Sequence, residues 1–314
     1  MFRISGKSVQ EPLRALTGKE QVLAESLDKD VRILADEIGE RNMMTPGSMD
    51  KTAAWIEEQL SNSGYNPARE EYNIEGDFLS GTSPVAHNIV AEIKGATNPE
   101  KFLIIGAHYD SVSFSPGAND NASAVATLLA IAREFNQHQP SRSIRFVFFA
   151  NEEPPFFHTP DMGSYAHAAN CRNRNEEITG MIALDGLGYY CSKPGSQRYP
   201  VPGIGLIYPD TANFISFVTR VKDSSLLAAT LRAFRKNATI PSEGAALPGF
   251  IPGVYWSDHW SFWKHNYPAL LVTDTLLFRD ECYHTSADTP ERLDYPAMAR
   301  VANGLMHTVQ ELAM

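Results

Sequence analysis

The sequence predicts an α/β protein, three layers α/β/α around a central mixed, largely parallel, twisted sheet. Four short, almost wholly apolar runs, at 102–107, 144–150, 181–184 and 269–272, have the texture of strands buried on both faces. Helix-periodic stretches at 121–135, 223–236 and 295–312 separate several of them, the alternation expected of a parallel sheet. Size agrees: 314 residues, 43% hydrophobic and 10% aromatic, can fill one large core.

Taken in order, residues 1–20 are expected to form an N-terminal arm and 21–314 a single domain. Its first helix is expected over 21–39, where Leu23, Leu27, Val31, Leu34, Ala35 and Ile38 recur at helical spacing. A second spans 49–62 and stops before Gly64. Residues 68–74 and 87–94 alternate as a strand pair ahead of the main sheet. The Pro- and Gly-rich stretches 192–209 and 248–253 read as loops.

Composition narrows the partners. Lys plus Arg number 27 and Asp plus Glu 37, a net charge of −10 that repels phosphate backbones and anionic lipid, so nucleic acid is not an expected partner. No run approaches the roughly 18–20 apolar residues of a membrane-spanning helix. The opening residues lack the apolar core of a signal peptide. Cys171, Cys191 and Cys282 are odd in number and form no C-x-x-C pair, so free thiols are expected.

The informative residues stand just past the apolar runs, where ligands bind in open α/β sheets. His108 and Asp110 follow the first, Glu152 and Glu153 the second and Asp185 the third; Asp120 opens the helix at 121–135, and His284 follows the last run after a loop. Each alone has an ordinary reading: Asp120 as a helix cap, Asp185 before Gly186 as a turn, the glutamates as solvated acids, His284 as surface. Together they are metal-ligand types converging from separate strands, and a divalent ion would offset their mutual repulsion.

Gly106-Ala-His-Tyr-Asp-Ser111, Pro116-Gly-Ala-Asn-Asp-Asn-Ala-Ser123, Phe148-Phe-Ala-Asn-Glu-Glu153, Leu184-Asp185, Ser257-Asp-His259 and Tyr283-His-Thr285 with Asp288-Thr289 resemble, in order, the motifs of the zinc aminopeptidases with two co-catalytic zinc ions. That superfamily also holds glutaminyl cyclases and catalytically inactive receptor ectodomains. The resemblance implies a zinc-dependent exopeptidase acting on N-terminal residues of peptides, with two zinc ions per chain. Asp120 would bridge them, His108 and Asp185 completing one site and Glu153 and His284 the other. Glu152 and Asp110 would be the catalytic pair, Glu152 as general base toward a metal-bridged water and Asp110 orienting His108. The resemblance further implies a cis Asp120–Asn121 bond, hydrogen bonds from Ser257-Asp258-His259 that support the metal ligands, and an exported or periplasmic location. Asn121-Ala-Ser123 is formally a glycosylation sequon, expected to be fortuitous at the start of a buried helix.

Two departures stand out. Ala124 replaces the family's usual glycine, a mild change inside a helix. After the paired glutamates the chain inserts residues 154–162, PPFFHTPDM, where aminopeptidases have a short link and glutaminyl cyclases also run longer. The cyclase, with one zinc and Glu152 as proton shuttle, is therefore the alternative, and a non-catalytic binding module of the same fold a further one. Tyr283 before the last histidine, where cyclases carry Trp, favours the peptidase. If some of Tyr255, Trp256, Trp260, Phe262 and Trp263 line the cleft, a pocket for large hydrophobic N-terminal residues follows.

Overall fold

The computed structural model describes residues 2–3, 8–75 and 84–314; within the arm expected over 1–20, positions 1 and 4–7 lie outside it. After β1 (Phe2–Arg3), helix α1 (Gly18–Arg32) starts three residues earlier than its apolar periodicity suggests, because Thr17 and Glu20 form a reciprocal capping box. A π-helical stretch, Ile33–Ile38, carries it to Gly39. Helix α2 is Ser48–Asn62, and the expected strand pair is β2 (Ala68–Asn73) and β3 (Val85–Ile93). The four apolar runs are the cores of β4 (Asn98–His108), β5 (Arg142–Phe149), β6 (Glu177–Leu184) and, later in the chain, β9 (Ala269–Thr273). Between them lie α3 (Ser123–Phe135), α4 (Gly163–Asn173), β7 (Ile215–Arg220), α5 (Ser224–Asn237), β8 (Ser242–Leu247) and α6 (His259–Lys264), and α7 (Tyr295–Ala313) ends the chain.

Among the described residues one nine-stranded sheet results, in the order β1-β8-β7-β9-β6-β4-β5-β3-β2. It is mixed: β9, β6, β4 and β5 form a parallel central block, β7 runs antiparallel to β9 with β8 parallel beside it, and β3 and β2 close the other edge antiparallel. Helices cover both faces. One core holds Leu27, Leu128, Phe146, Phe217, Phe234 and Val301; the other holds Ile104, Phe149, Cys171, Leu271, Phe262 and Trp263. Because side chains alternate along a strand, neighbours such as Phe148 and Phe149 serve opposite cores, which is why these strands are apolar at nearly every position. The three cysteines are free thiols. No helix among the described residues is long and apolar enough to cross a membrane.

Candidate metal centre

The parallel block delivers its carboxyl ends to one edge of the sheet. His108 is the last residue of β4, Asp185 follows β6, and Glu152 and Glu153 follow β5 through Asn151, whose φ of 57° turns the chain sharply. Asp120 lies in the turn Ala118–Ala122 ahead of α3, where Gly117 is at φ 59° and a Cβ would stand 2.4 Å from the Asp120 carbonyl oxygen. The Asp120–Asn121 bond is cis, as the resemblance implied.

All five ligand candidates meet. Nε2 of His108 lies 3.3 Å from one oxygen of Asp120 and 3.5 Å from Asp185. The second oxygen of Asp120 lies 3.1 Å from Nε2 of His284, which is 3.2 Å from Glu153. Two three-residue groups, His108 with Asp120 and Asp185, and Asp120 with Glu153 and His284, each offer ligand atoms within 4.8 Å of one another, and Asp120 belongs to both. Among the described residues, His108 Nε2, Asp185 Oδ1, Glu153 Oε1 and His284 Nε2 are buried and find no partner with hydrogen-bond geometry, an arrangement that costs free energy unless a cation satisfies it. Buried imidazole and carboxylate donors in groups of three suit zinc.

Surrounding residues hold this set in place. Asp110 sits 3.3 Å from Nδ1 of His108 and accepts the backbone N–H groups of Glu152 at 3.1 Å and Glu153 at 3.0 Å, so one carboxylate orients both strand ends. The Asp288 carboxylate accepts the N–H groups of Asn119 at 2.8 Å and Asp120 at 3.1 Å. Asn121 donates its side-chain amide to the Leu184 carbonyl and accepts the Gly186 N–H, tying the Asp120 turn to the end of β6; it is fully buried and so unsuited to a glycan. Arg41 is fully buried and donates to the carbonyls of Tyr109, Leu34, Gly39, Pro116 and Gly117, clamping the segment that leads into Asp120. The roles of Arg41 and Asp288 were not foreseen: a lone arginine after a helix carries no spacing signal.

The electrostatics are those of crowded anions. Burial raises Glu153 to about 7, with the Asp120 charge adding to it, and raises Glu152 well above the usual carboxylate range. Asp185 moves the same way by burial and Asp120. Burial works against a charged His108 and a charged His284, yet the carboxylates around them prevail, and His284 reaches about 10.

A cavity of about 290 Å³ opens from this cluster along the face of β9, β7 and β8, under the loops around 197–208 and 252–256. Of the bracketing aromatics only Trp256 lines it. Phe262 and Trp263 belong to the core beneath, and Trp260 stacks on His158 with ring centroids 4.4 Å apart. Pro154 and Phe157 of the inserted segment reach the cavity wall, and His158, stacked on Phe157 at 4.0 Å, donates from Nε2 a 3.0 Å bond to the Tyr255 carbonyl that anchors the insertion. Asp258 starts α6 without capping it by its side chain. It is fully buried instead, and burial raises it to about 7 while the nearby His108 opposes that rise.

Residues 88–309 match the model of peptidase family M28. The chain is 38% identical over 290 residues to the uncharacterised protein YfbL of Escherichia coli (strain K12), covering 90% of this chain and 86% of that one. It is 27% identical over 285 residues to a probable leucine aminopeptidase 1 of Trichophyton verrucosum, covering 84% of this chain and 67% of the relative. Its fold is that of BSAP, a zinc aminopeptidase from Bacillus subtilis, with a TM-score of 0.71 at 16% identity over 92% of this chain and 95% of that one. The family match takes in the paired glutamates, Asp120, Asp185 and the final histidine alike, and the chain belongs to peptidase family M28.

Proposed function

We propose that this metallo-aminopeptidase releases N-terminal residues from peptides at a two-zinc centre held by His108, Asp120, Glu153, Asp185 and His284, with Glu152 moving the proton. The observation that carries the reading is Asp120, whose two oxygens face two different imidazoles at 3.3 and 3.1 Å, as a carboxylate shared between two ions would. Bound zinc would supply Lewis acidity, acidifying a water and offsetting the charge that develops on the scissile carbonyl oxygen.

The chain's own residues do the rest. Glu152 lies 3.9 Å from Nε2 of His108, close to the cluster, and its burial gives it the affinity for a proton that a general base needs. It takes the attacking water's proton and returns it to the departing amine. Asp110, acting through His108 and through the backbone of Glu152, fixes the angle between base and ligands. The cavity walls exclude water from the substrate's side chain, so peptide and base meet in one geometry.

The test is turnover by the zinc-loaded chain of an aminoacyl p-nitroanilide beside cyclisation of a peptide with N-terminal glutamine. Anilide hydrolysis without cyclisation is expected. Cyclisation alone would favour the cyclase reading, and a chain that takes up no metal and catalyses neither reaction would favour the binding module.

A further inference from the structure

We propose that the cavity takes the side chain of an N-terminal tyrosine, and that the hydroxyls of Ser216 and Thr273 select it over phenylalanine. The inference rests on the aminopeptidase reading and narrows its substrate. It adds a polar end to the hydrophobic pocket suggested by the aromatic sequence around residue 258.

Strand register carries the argument. Ser216 on β7 pairs with Thr273 on β9, and one strand further Asp185 follows the Leu184–Val272 pair. The same register sets Phe217 beside Val272 and Val218 beside Leu271. Because side chains alternate along a strand, Phe217 and Val272 enter one core, while Ser216, Val218, Leu271 and Thr273 share the opposite face and line the cavity. Its floor is thus apolar with two adjacent hydroxyls near the metal-ligand cluster. Glu243, next to Ser216 on β8, is already engaged and takes no part in the argument.

Both hydroxyls are open to a ligand. Ser216 Oγ makes no hydrogen bond among the described residues. Thr273 Oγ1 accepts the Thr275 N–H at 2.9 Å, which leaves its own O–H to donate. Three other polar side chains of the lining are taken: Tyr199 donates to the Pro209 carbonyl, Tyr208 to the Gly244 carbonyl, and Gln197 to the Arg198 carbonyl while accepting from Arg279. A phenol answers the open pair, since its O–H donates to Ser216, its oxygen accepts from Thr273, and its ring meets the apolar groups around them.

The lengths agree. At about 4.8 Å per strand, Thr273 lies about 5 Å and Ser216 about 10 Å across the sheet from Asp185. With bonds near 1.5 Å, an extended tyrosine carries its oxygen about 6.5 Å from Cα. A substrate whose α-carbon sits beside the cluster therefore holds that oxygen between the two hydroxyls, each within reach of a bond of about 2.8 Å. Leucine ends at about 4 Å and stops short. Phenylalanine fills the same space but leaves both hydroxyls without a partner, and a site that bonds a substrate hydroxyl discriminates against the analogue lacking it.

The experiment compares kcat/KM of the zinc-loaded full chain on tyrosyl and phenylalanyl p-nitroanilides, which differ by one hydroxyl. Tyrosine is expected to lead by about fivefold, Ser216→Ala to bring the ratio to about one, and Thr273→Val to lower it in part. Phenylalanine equal to or ahead of tyrosine, or a ratio unmoved by Ser216→Ala, overturns the proposal. If no anilide is cleaved, the aminopeptidase reading falls and calorimetric binding of L-tyrosinamide and L-phenylalaninamide decides the pocket without turnover. Tighter binding of tyrosinamide, lost in Ser216→Ala, supports it, and equal binding overturns it.

Discussion

Buried and half-buried carboxylates occur in two parts of this molecule and behave differently. Away from the site, Glu20, Glu70 and Glu176 are all held at about 2: burial alone would raise them, but Arg14, His167 and the Arg145–Arg174 pair respectively outweigh it. At the site burial wins for Glu153, Asp258 and Asp288, each raised to about 7, while Asp120, between the two imidazoles, is held below the usual carboxylate range by His108 and His284 against its burial. The residue types are alike; the cations differ. The outer carboxylates meet a basic side chain of the chain itself, whereas at the strand ends five acids, Asp110, Asp120, Glu152, Glu153 and Asp185, surround two imidazoles. Such a cluster is stable as a set of anions only with a further cation, which the proposed zinc pair provides.

The comparison can be broken at several points. The largest effect is expected from Glu152→Gln, which keeps the shape of the site but removes the proposed base. Turnover should fall by about three powers of ten or more with zinc content unchanged, measured by steady-state kinetics beside metal analysis. Loss of zinc in that variant would move Glu152 from base to ligand. Removing metal comes next: stripping the chain with a chelator should lower its melting temperature by several degrees at neutral pH, and added zinc should restore it, because an ion bound to the folded state alone stabilises that state by about 2.7 kcal/mol at a hundredfold excess over Kd. A melting curve indifferent to zinc would contradict the site.

Truncating the cavity wall should do less. Phe157→Ala and Trp256→Ala are each expected to raise KM by about three- to tenfold with little change in kcat, since both line the cavity and neither joins the ligand cluster. An equal fall in kcat would mean that the wall also positions the reacting bond. The smallest effect sharpens the outer half of the comparison. Glu70 contacts Nδ1 of His167 at 2.5 Å and is lowered from 4.5 to about 2, so its contribution is present above pH 4.5 and disappears as the pH falls through 2. Glu70→Gln should therefore cost on the order of 2 kcal/mol at pH 6 and far less at pH 2, read by denaturant titration. A cost independent of pH would assign the loss to packing.

The centre of the fold was readable because the strands carrying the ligands each hold a run, 102–107, 144–150 or 181–184, that is apolar but for Arg145, and a run followed by His108, Glu152 or Asp185 marks its own boundary. The far half was not. Ile215–Arg220 mixes Ser, Thr and Arg with apolar residues, and Ser242–Leu247 reads SEGAAL, whose small residues give neither a strand nor a helix signal. With those strands unseen, the register that sets Glu243 beside Ser216 could not be inferred. The aromatics around Asp258 suggested a pocket, but α6 turns Phe262 and Trp263 into the core, leaving Trp256 at the cavity. Helix starts set by caps, such as Thr17 with Glu20, lie outside the apolar period and were missed by three residues.

The most direct measurement is the zinc stoichiometry of the purified chain, titrated with zinc and counted by elemental analysis, beside the same count for Asp120→Ala. Two ions per chain, with both lost or severely weakened when Asp120 is removed, is the expected result. A single ion, or a second that survives the loss of Asp120, would contradict a centre built on one shared carboxylate.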